Sequence, residues 1–231
     1  MSRPKPNQRV ILWDIDGTLV SSRASLADKH VKAAEVFLGR DLPDQERIAG
    51  KTDRQILHEL LKAHGTDPSP AALTEVLGTL DALSIEEVSQ FPVPTIPGAA
   101  AALDTARSRG WVNGLLTGNT PARARSKLES ASIWGAFDLN FSFFGDNASS
   151  RLDLVAEGAS AIRSEGHFEV IIVGDTPLDI QSAQKHGLRV VAVATGLYSA
   201  ADLGNLNPDL LISDWESGST SFLDFLNSLH V

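Results

Sequence analysis

Along the chain, short apolar runs alternate with longer stretches in which apolar residues recur every three or four positions. The runs are VILWD (10–14), VNGLLT (112–117), LNFSFF (139–144), EVIIVGD (169–175), RVVAVAT (189–195) and DLLISD (209–214). Each is closed by a turn or a polar cluster, and runs this short and rich in β-branched residues predict strands. Helical patterns fill the gaps between the later runs, at 99–110, 122–132, 152–166 and 178–187. Strand then helix, repeated, with strands apolar on both sides, predicts an α/β fold with a parallel sheet covered on both faces.

The first run breaks that rhythm. It is followed by helical patterns at 24–39, 52–65, 69–83 and 85–91 with no strand between them, and then by PVPTIPG (92–98), with three prolines and a glycine. The expected organisation is an α/β core domain built from residues 1–21 and 93–231, carrying a helical insert over 22–92. The crossings near 20–23 and 91–97 are the expected hinges.

Composition narrows the function. The chain has 231 residues and is 42% hydrophobic, enough for a substantial core. It contains no cysteine, which removes disulfides, thiolate metal sites and cysteine nucleophiles together. The opening MSRPKPNQRV has no apolar core of signal-peptide length, and no later segment is long enough to span a bilayer, so a soluble, cytoplasmic protein with no membrane partner is expected. A net charge of −9 argues against nucleic acid as a partner.

Four strand-to-helix transitions carry the candidate chemistry. The first run ends in DIDGT, with Asp14 and Asp16 two apart, so in extended chain they point the same way. Charge is costly to bury unpaired, and a metal ion or a phosphoryl group at the strand's carboxyl end would answer it. The ordinary alternative is an Asx-type turn. In LLTGNTPARA, Thr117 closes a strand, Thr120 caps a helix and Pro121 opens it. The Thr117 hydroxyl and the backbone N–H groups of Gly118 and Asn119 are a candidate anion site. In GDNASSRLDLV, Arg151 stands between a strand and a helix. In IIVGDTPLDIQSA, Asp175 closes a strand and Asp179 lies in the first turn of a helix. Four apart, those two carboxylates repel unless a cation intervenes, although Asp179 is also explained by the helix macrodipole. Each feature alone has an ordinary structural reading. A doubly wound sheet would bring all four to one edge.

With these residues in view, DIDGTLV, LLTGNT and VGDTPLD resemble the first, second and fourth motifs of the haloacid dehalogenase superfamily, and 22–92 resembles its helical cap. The resemblance runs from about Arg9 to the final helix. It implies a Rossmann-like core with a mobile cap, and an Mg²⁺-dependent phosphatase of the kind that includes phosphoglycolate phosphatase. Carried over by motif, Asp14 is the nucleophile and Asp16 the general acid/base, and Thr117 with its loop binds phosphoryl oxygens. Asp14, the Asp16 carbonyl and Asp175 hold Mg²⁺, with Asp179 in support. The superfamily's third motif usually has a lysine; none stands at the expected place, and Arg151 is the nearest candidate, with a more rigid, forked head.

The expected activity is hydrolysis of a small phosphorylated metabolite. A phosphosugar mutase of the same superfamily uses the same core residues. Outside the class stand a phospho-acceptor signalling domain, which has no use for an insert of this size, and a non-catalytic binding protein on the same fold. Specificity is expected in the insert at AGKTDRQI (49–56), with Lys51 and Arg54 as contacts; the alternative is that both are solvated residues of a helix start. The natural substrate and the oligomeric state are not legible.

Overall fold

A computed structural model of the protein describes residues 8–21, 26–43, 49–164 and 168–229. Part of the first expected crossing (22–23) and the ends of two expected helices (24–25 and 165–166) lie outside them. Six parallel strands form one sheet: β1 (Gln8–Trp13), β2 (Trp111–Thr117), β3 (Phe143–Phe144), β4 (Phe168–Gly174), β5 (Arg189–Val193) and β6 (Leu210–Ile212), in the order β3-β2-β1-β4-β5-β6. β1 is therefore central, pairing Val10 with Val112 on one side and with Val170 on the other.

The alternation of β1 shows why the sheet is wound on both sides. Ile11 and Trp13 pack with α4 (Ala99–Ser108), α5 (Pro121–Ser130) and α9 (Ser219–Ser228), through Leu103, Leu128 and Phe222. Val10 and Leu12 pack on the opposite face with α6 (Arg151–Ser164), α7 (Pro177–Lys185) and α8 (Ala200–Gly204), through Leu154, Ile180 and Leu203. All four β1 residues are fully buried, each contributing on the order of 1.5–3 kcal/mol of apolar burial. Asn113, the polar residue inside β2, is satisfied: it accepts from Trp13 Nε1 (3.0 Å) and donates to the Leu103 carbonyl (3.1 Å).

Between β1 and β2 lie α1 (Leu26–Leu38), α2 (Asp53–Ala63) and α3 (Pro70–Gln90). They have a core of their own, built on Ala34, Leu57, Leu61, Val76 and Leu80. The chain leaving β1 and the chain returning from α3 are zipped together by Ser21 N–H on Pro94 O (3.1 Å) and Ile96 N–H on Leu19 O (2.9 Å).

Two expectations are corrected. Residues 139–144 are not one strand: Asp138 accepts from the Asn140 backbone N–H (3.0 Å), so the chain makes a 3₁₀ turn over Leu139–Phe141 and only Phe143–Phe144 pairs with β2. Residues 69–83 and 85–91 are not two helices. The helix runs straight through Ser84, whose buried hydroxyl is satisfied by the Leu80 carbonyl (2.7 Å). α8 was not foreseen; it is set by a capping box between Ser199 and Asp202.

Candidate active site

Because the sheet is parallel, β1, β2 and β4 deliver their last residues to one edge, and Asp14, Thr117 and Asp175 meet there. Asp179 arrives with them from the first turn of α7, where it closes a capping box with Thr176. Ligand oxygens of Asp14, Asp175 and Asp179 lie within 4.8 Å of one another, all three residues being buried. Arg151, the first residue of α6, is buried against this trio. Its Nη2 is 2.5 Å from Asp179 Oδ1 and 3.2 Å from Asp14 Oδ1. Asp179 is thus occupied on both oxygens, one by Arg151 and the other by the Thr176 backbone and hydroxyl.

The electrostatics follow from the crowding. Burial, opposed by Arg151 and reinforced by Asp179 and Asp16, pushes the Asp14 carboxyl up to about 7. Burial, reinforced by Asp14, Asp179 and Asp16, raises Asp175 well above the ordinary range. These are oxygen donors that a hard divalent cation would relieve of their mutual repulsion. The backbone leaves them room: a methyl group at Gly17 or at Gly196 would run into the Asp175 carboxylate, and Gly17 has φ +83° besides. The turn beyond Asp16 is braced from three sides. Thr18 Oγ1 donates to Asp175 Oδ1 (3.1 Å), Thr195 Oγ1 donates to Gly17 O (2.5 Å), and Trp215 Nε1 donates to Thr18 O (2.8 Å).

Asp16 does not join the three carboxylates. Its Oδ2 accepts from Lys127 Nζ (2.5 Å) and from Asn119 Nδ2 (2.8 Å). Burial alone would raise its pKa; the Lys127 ammonium and the two hydrogen bonds win, and hold it below the ordinary carboxylate range.

The loop after β2 differs in detail from the expected anion site. The Asn119 backbone N–H is directed to Thr117 Oγ1 (3.3 Å), and its side chain bonds Thr117 Oγ1 (2.8 Å), Asp16 and Lys127. Asn119 is thus a connector within the site. Thr117 Oγ1, accepting twice, has its own hydrogen left to donate. Thr120 caps α5 as expected, accepting from Arg123 N–H (3.2 Å).

The start of α2 is seated on this loop. Thr52 caps the helix and its hydroxyl donates to Ala148 O (2.8 Å); Asp53 N–H donates to Gly118 O (2.7 Å). The Asp53 carboxylate accepts from Thr120 N–H (3.0 Å), His30 Nε2 (2.9 Å) and Arg123 Nη1. Lys51 and Arg54 flank it but turn to other partners. Lys51 Nζ is 2.5 Å from Glu59 Oε2, and Arg54 Nη1 is 3.5 Å from Asp146 O. Arg54 also lines a cavity of about 440 Å³ with Gln55, His58, Glu59 and Ser149.

Lys127, Arg123 and Asp53 were not foreseen. A signal existed for the first two: on α5 they flank Ala124 and Leu128, its buried apolar residues, at helical spacing. Two basic residues beside so small an apolar stripe require buried acidic partners.

A doubly wound sheet with an Asp-x-Asp turn, a Thr-Gly-Asn loop, a buried arginine and a second pair of aspartates at one edge defines a hydrolase class, and the chain belongs to it. The profile of the family described as "Haloacid dehalogenase-like hydrolase" matches residues 11–193. Similar proteins include the phosphoglycolate phosphatases of Aquifex aeolicus, 28% identical over 89% of this chain and 92% of that one, and of Rhodospirillum rubrum, 25% identical over 90% and 88%. Among solved structures, CbbY from Rhodobacter sphaeroides in complex with phosphate shares the fold at TM-score 0.70 and 15% identity, over 94% of this chain and 99% of that one. A hydrolase from Pseudomonas syringae does so at TM-score 0.70 and 18% identity, over 97% and 100%. Among the described residues no helix is long and apolar enough to cross a membrane.

Proposed function

We propose that this hydrolase is an Mg²⁺-dependent phosphomonoesterase acting on a small phosphorylated metabolite, with residues 22–92 as its cap. The observation that carries the reading is the trio Asp14, Asp175 and Asp179 with Arg151 buried against it. Asp14 and Asp175, with the Asp16 carbonyl, would hold Mg²⁺, which when bound neutralises charge between nucleophile and phosphate. Asp179 supports them by fixing Arg151 and the start of α7.

An Asp14 oxygen attacks phosphorus, the ester P–O bond breaks, and Asp16 gives its proton to the departing alkoxide. A water then attacks the phosphorus of the aspartyl-phosphate, Asp16 takes its proton, and the P–O bond to Asp14 breaks to release inorganic phosphate. The Thr117 hydroxyl donates to a phosphoryl oxygen throughout, and Arg151 holds the Asp14 carboxylate. A bound phosphoryl group brings negative charge to the same edge, which opposes the lowering of the Asp16 pKa. The relatives named for phosphoglycolate make a short phosphate ester bearing a second anionic group the first compound to assay.

The test is phosphate release from a panel of phosphorylated metabolites, with and without Mg²⁺, by the wild type and Asp14→Asn. The expected result is Mg²⁺-dependent release that is lost in the variant. Near wild-type release by Asp14→Asn refutes the nucleophile, and release after exhaustive chelation refutes the metal. Isomerised sugar phosphate in place of free phosphate would point to the mutase branch.

A further inference from the structure

We propose that Lys127 is a positioning residue for proton transfer. It anchors Asp16 by one oxygen, leaving the other to exchange the proton with the leaving group and then with water. The proposal rests on Asp16 being the acid/base. Lys127 is 1% exposed, and two of its three donors go to the site itself, to Asp16 Oδ2 (2.5 Å) and Asn119 Oδ1 (2.7 Å). Asn119 closes the triangle by donating to the same Asp16 oxygen (2.8 Å) and to Thr117 Oγ1 (2.8 Å). One ammonium thus sets both the acid/base and the loop that receives the phosphoryl group.

The second Asp16 oxygen is the telling atom. Oδ1 is buried and has no hydrogen-bond partner among the described residues. A carboxylate oxygen left in that state is costly in a finished scaffold; it fits a group whose partner comes and goes. The alternative is that Lys127 merely neutralises a buried charge. A buried ion pair is seldom needed for stability, since apolar side chains of similar volume serve as well. Arg123, one turn earlier on α5, already has its own partner in Asp53.

Leaving-group chemistry separates the two. A nitrophenolate departs without a proton, whereas an alkoxide needs one. Alcohol release in a single turnover is measured for a nitrophenyl phosphate and for an alkyl monophosphate, in wild type, Lys127→Met, Lys127→Arg and Asp16→Asn. Lys127→Met is expected to slow alkyl release by about 10–10²-fold more than nitrophenol release, part of what general acid catalysis supplies, any slowing common to both reporting the loop that Asn119 links to Lys127. Lys127→Arg, which keeps the buried charge and serves if the methionine variant does not fold, is expected to show the same selectivity at smaller size. Equal slowing of both leaving groups by the Lys127 variants, with Asp16→Asn selective, overturns the proposal alone. An Asp16→Asn variant without selectivity overturns the acid/base reading and the proposal with it.

Discussion

The Asp53 carboxylate is the point at which α2 is tied to α5, and its removal has a calculable effect. Asp53→Ala leaves the Asp53 N–H on Gly118 O intact but takes the acceptor from Arg123, His30 and the Thr120 N–H. Arg123 is 2% exposed, so it becomes a buried charge without its partner. Breaking such a pair from one side costs about 3–5 kcal/mol, and the orphaned Thr120 N–H adds to it, for roughly 4–6 kcal/mol in all. At about 2–4 °C per kcal/mol for a chain of this size, the Tm falls by roughly 8–24 °C. Asp53→Ala/Arg123→Met removes both charges and is expected to recover much of that, because apolar replacement of a whole buried pair is often neutral. The assay is heat unfolding followed by circular dichroism and tryptophan fluorescence, run as a double-mutant cycle. A double variant as unstable as the sum of the two single variants, with no coupling above about 0.5 kcal/mol, would refute the buried pair.

Burial holds His30 below its ordinary pKa against the pull of Asp53; the unfolded chain then takes the proton first, so this contribution is lost as pH falls below about 6.5. Asp14, raised to about 7, acts with the opposite sign, so the measurement is the difference in Tm slope between wild type and His30→Gln over pH 5.5–7.5, and equal slopes would refute it. Gly196→Ala sets a methyl group on the Asp175 carboxylate and is expected to abolish both activity and Mg²⁺-induced stabilisation; wild-type behaviour in both would contradict the geometry. For the intact site, Mg²⁺ at a hundred times its Kd should stabilise the fold by about 2.7 kcal/mol, an effect visible as a Tm rise and absent from Asp14→Asn. Lys51→Ala and Arg54→Ala are expected to raise KM or lower kcat for the natural substrate while sparing a small aryl phosphate; equal effects on both substrates would move specificity elsewhere in 22–92.

The sheet was legible because its strands are buried on both faces. VILWD and EVIIVGD leave no polar position where a helix would need one, and their aspartates mark where each strand ends. The run at 139–144 misled because its one decisive residue, Asp138, lies just outside it and acts through a local hydrogen bond that competes with the ladder. Ser84 misled for the opposite reason: a residue of modest helix propensity is accommodated in mid-helix, its buried hydroxyl satisfied by the carbonyl four residues back. At the candidate site, the convergence of Asp14, Thr117, Arg151, Asp175 and Asp179 was legible because each sits at a strand-to-helix transition, where position alone carries meaning. Lys127 and Asp53 sit within helices, and what distinguishes them is their partner, 111 and 70 residues away. Separations of that size leave no local trace, so the links from Lys127 to Asp16 and from Asp53 to Arg123 had to come from the fold.

The central place of β1 also governs how the chain is made. Val10, Ile11, Leu12 and Trp13 are translated first, yet their partners on β2 and β4 follow about 100 and 160 residues later. At about 5–20 residues per second, roughly 5–20 s pass before β2 exists and roughly 8–32 s before β4 does. Until β2 arrives, this buried apolar strand is a sticky segment on a nascent chain, while α1–α3 can gather the core they share. A ribosome stalled between α3 and β2 would therefore hold the helical segment tethered to an unpaired strand. Quality control would meet such a fragment as an aggregation hazard.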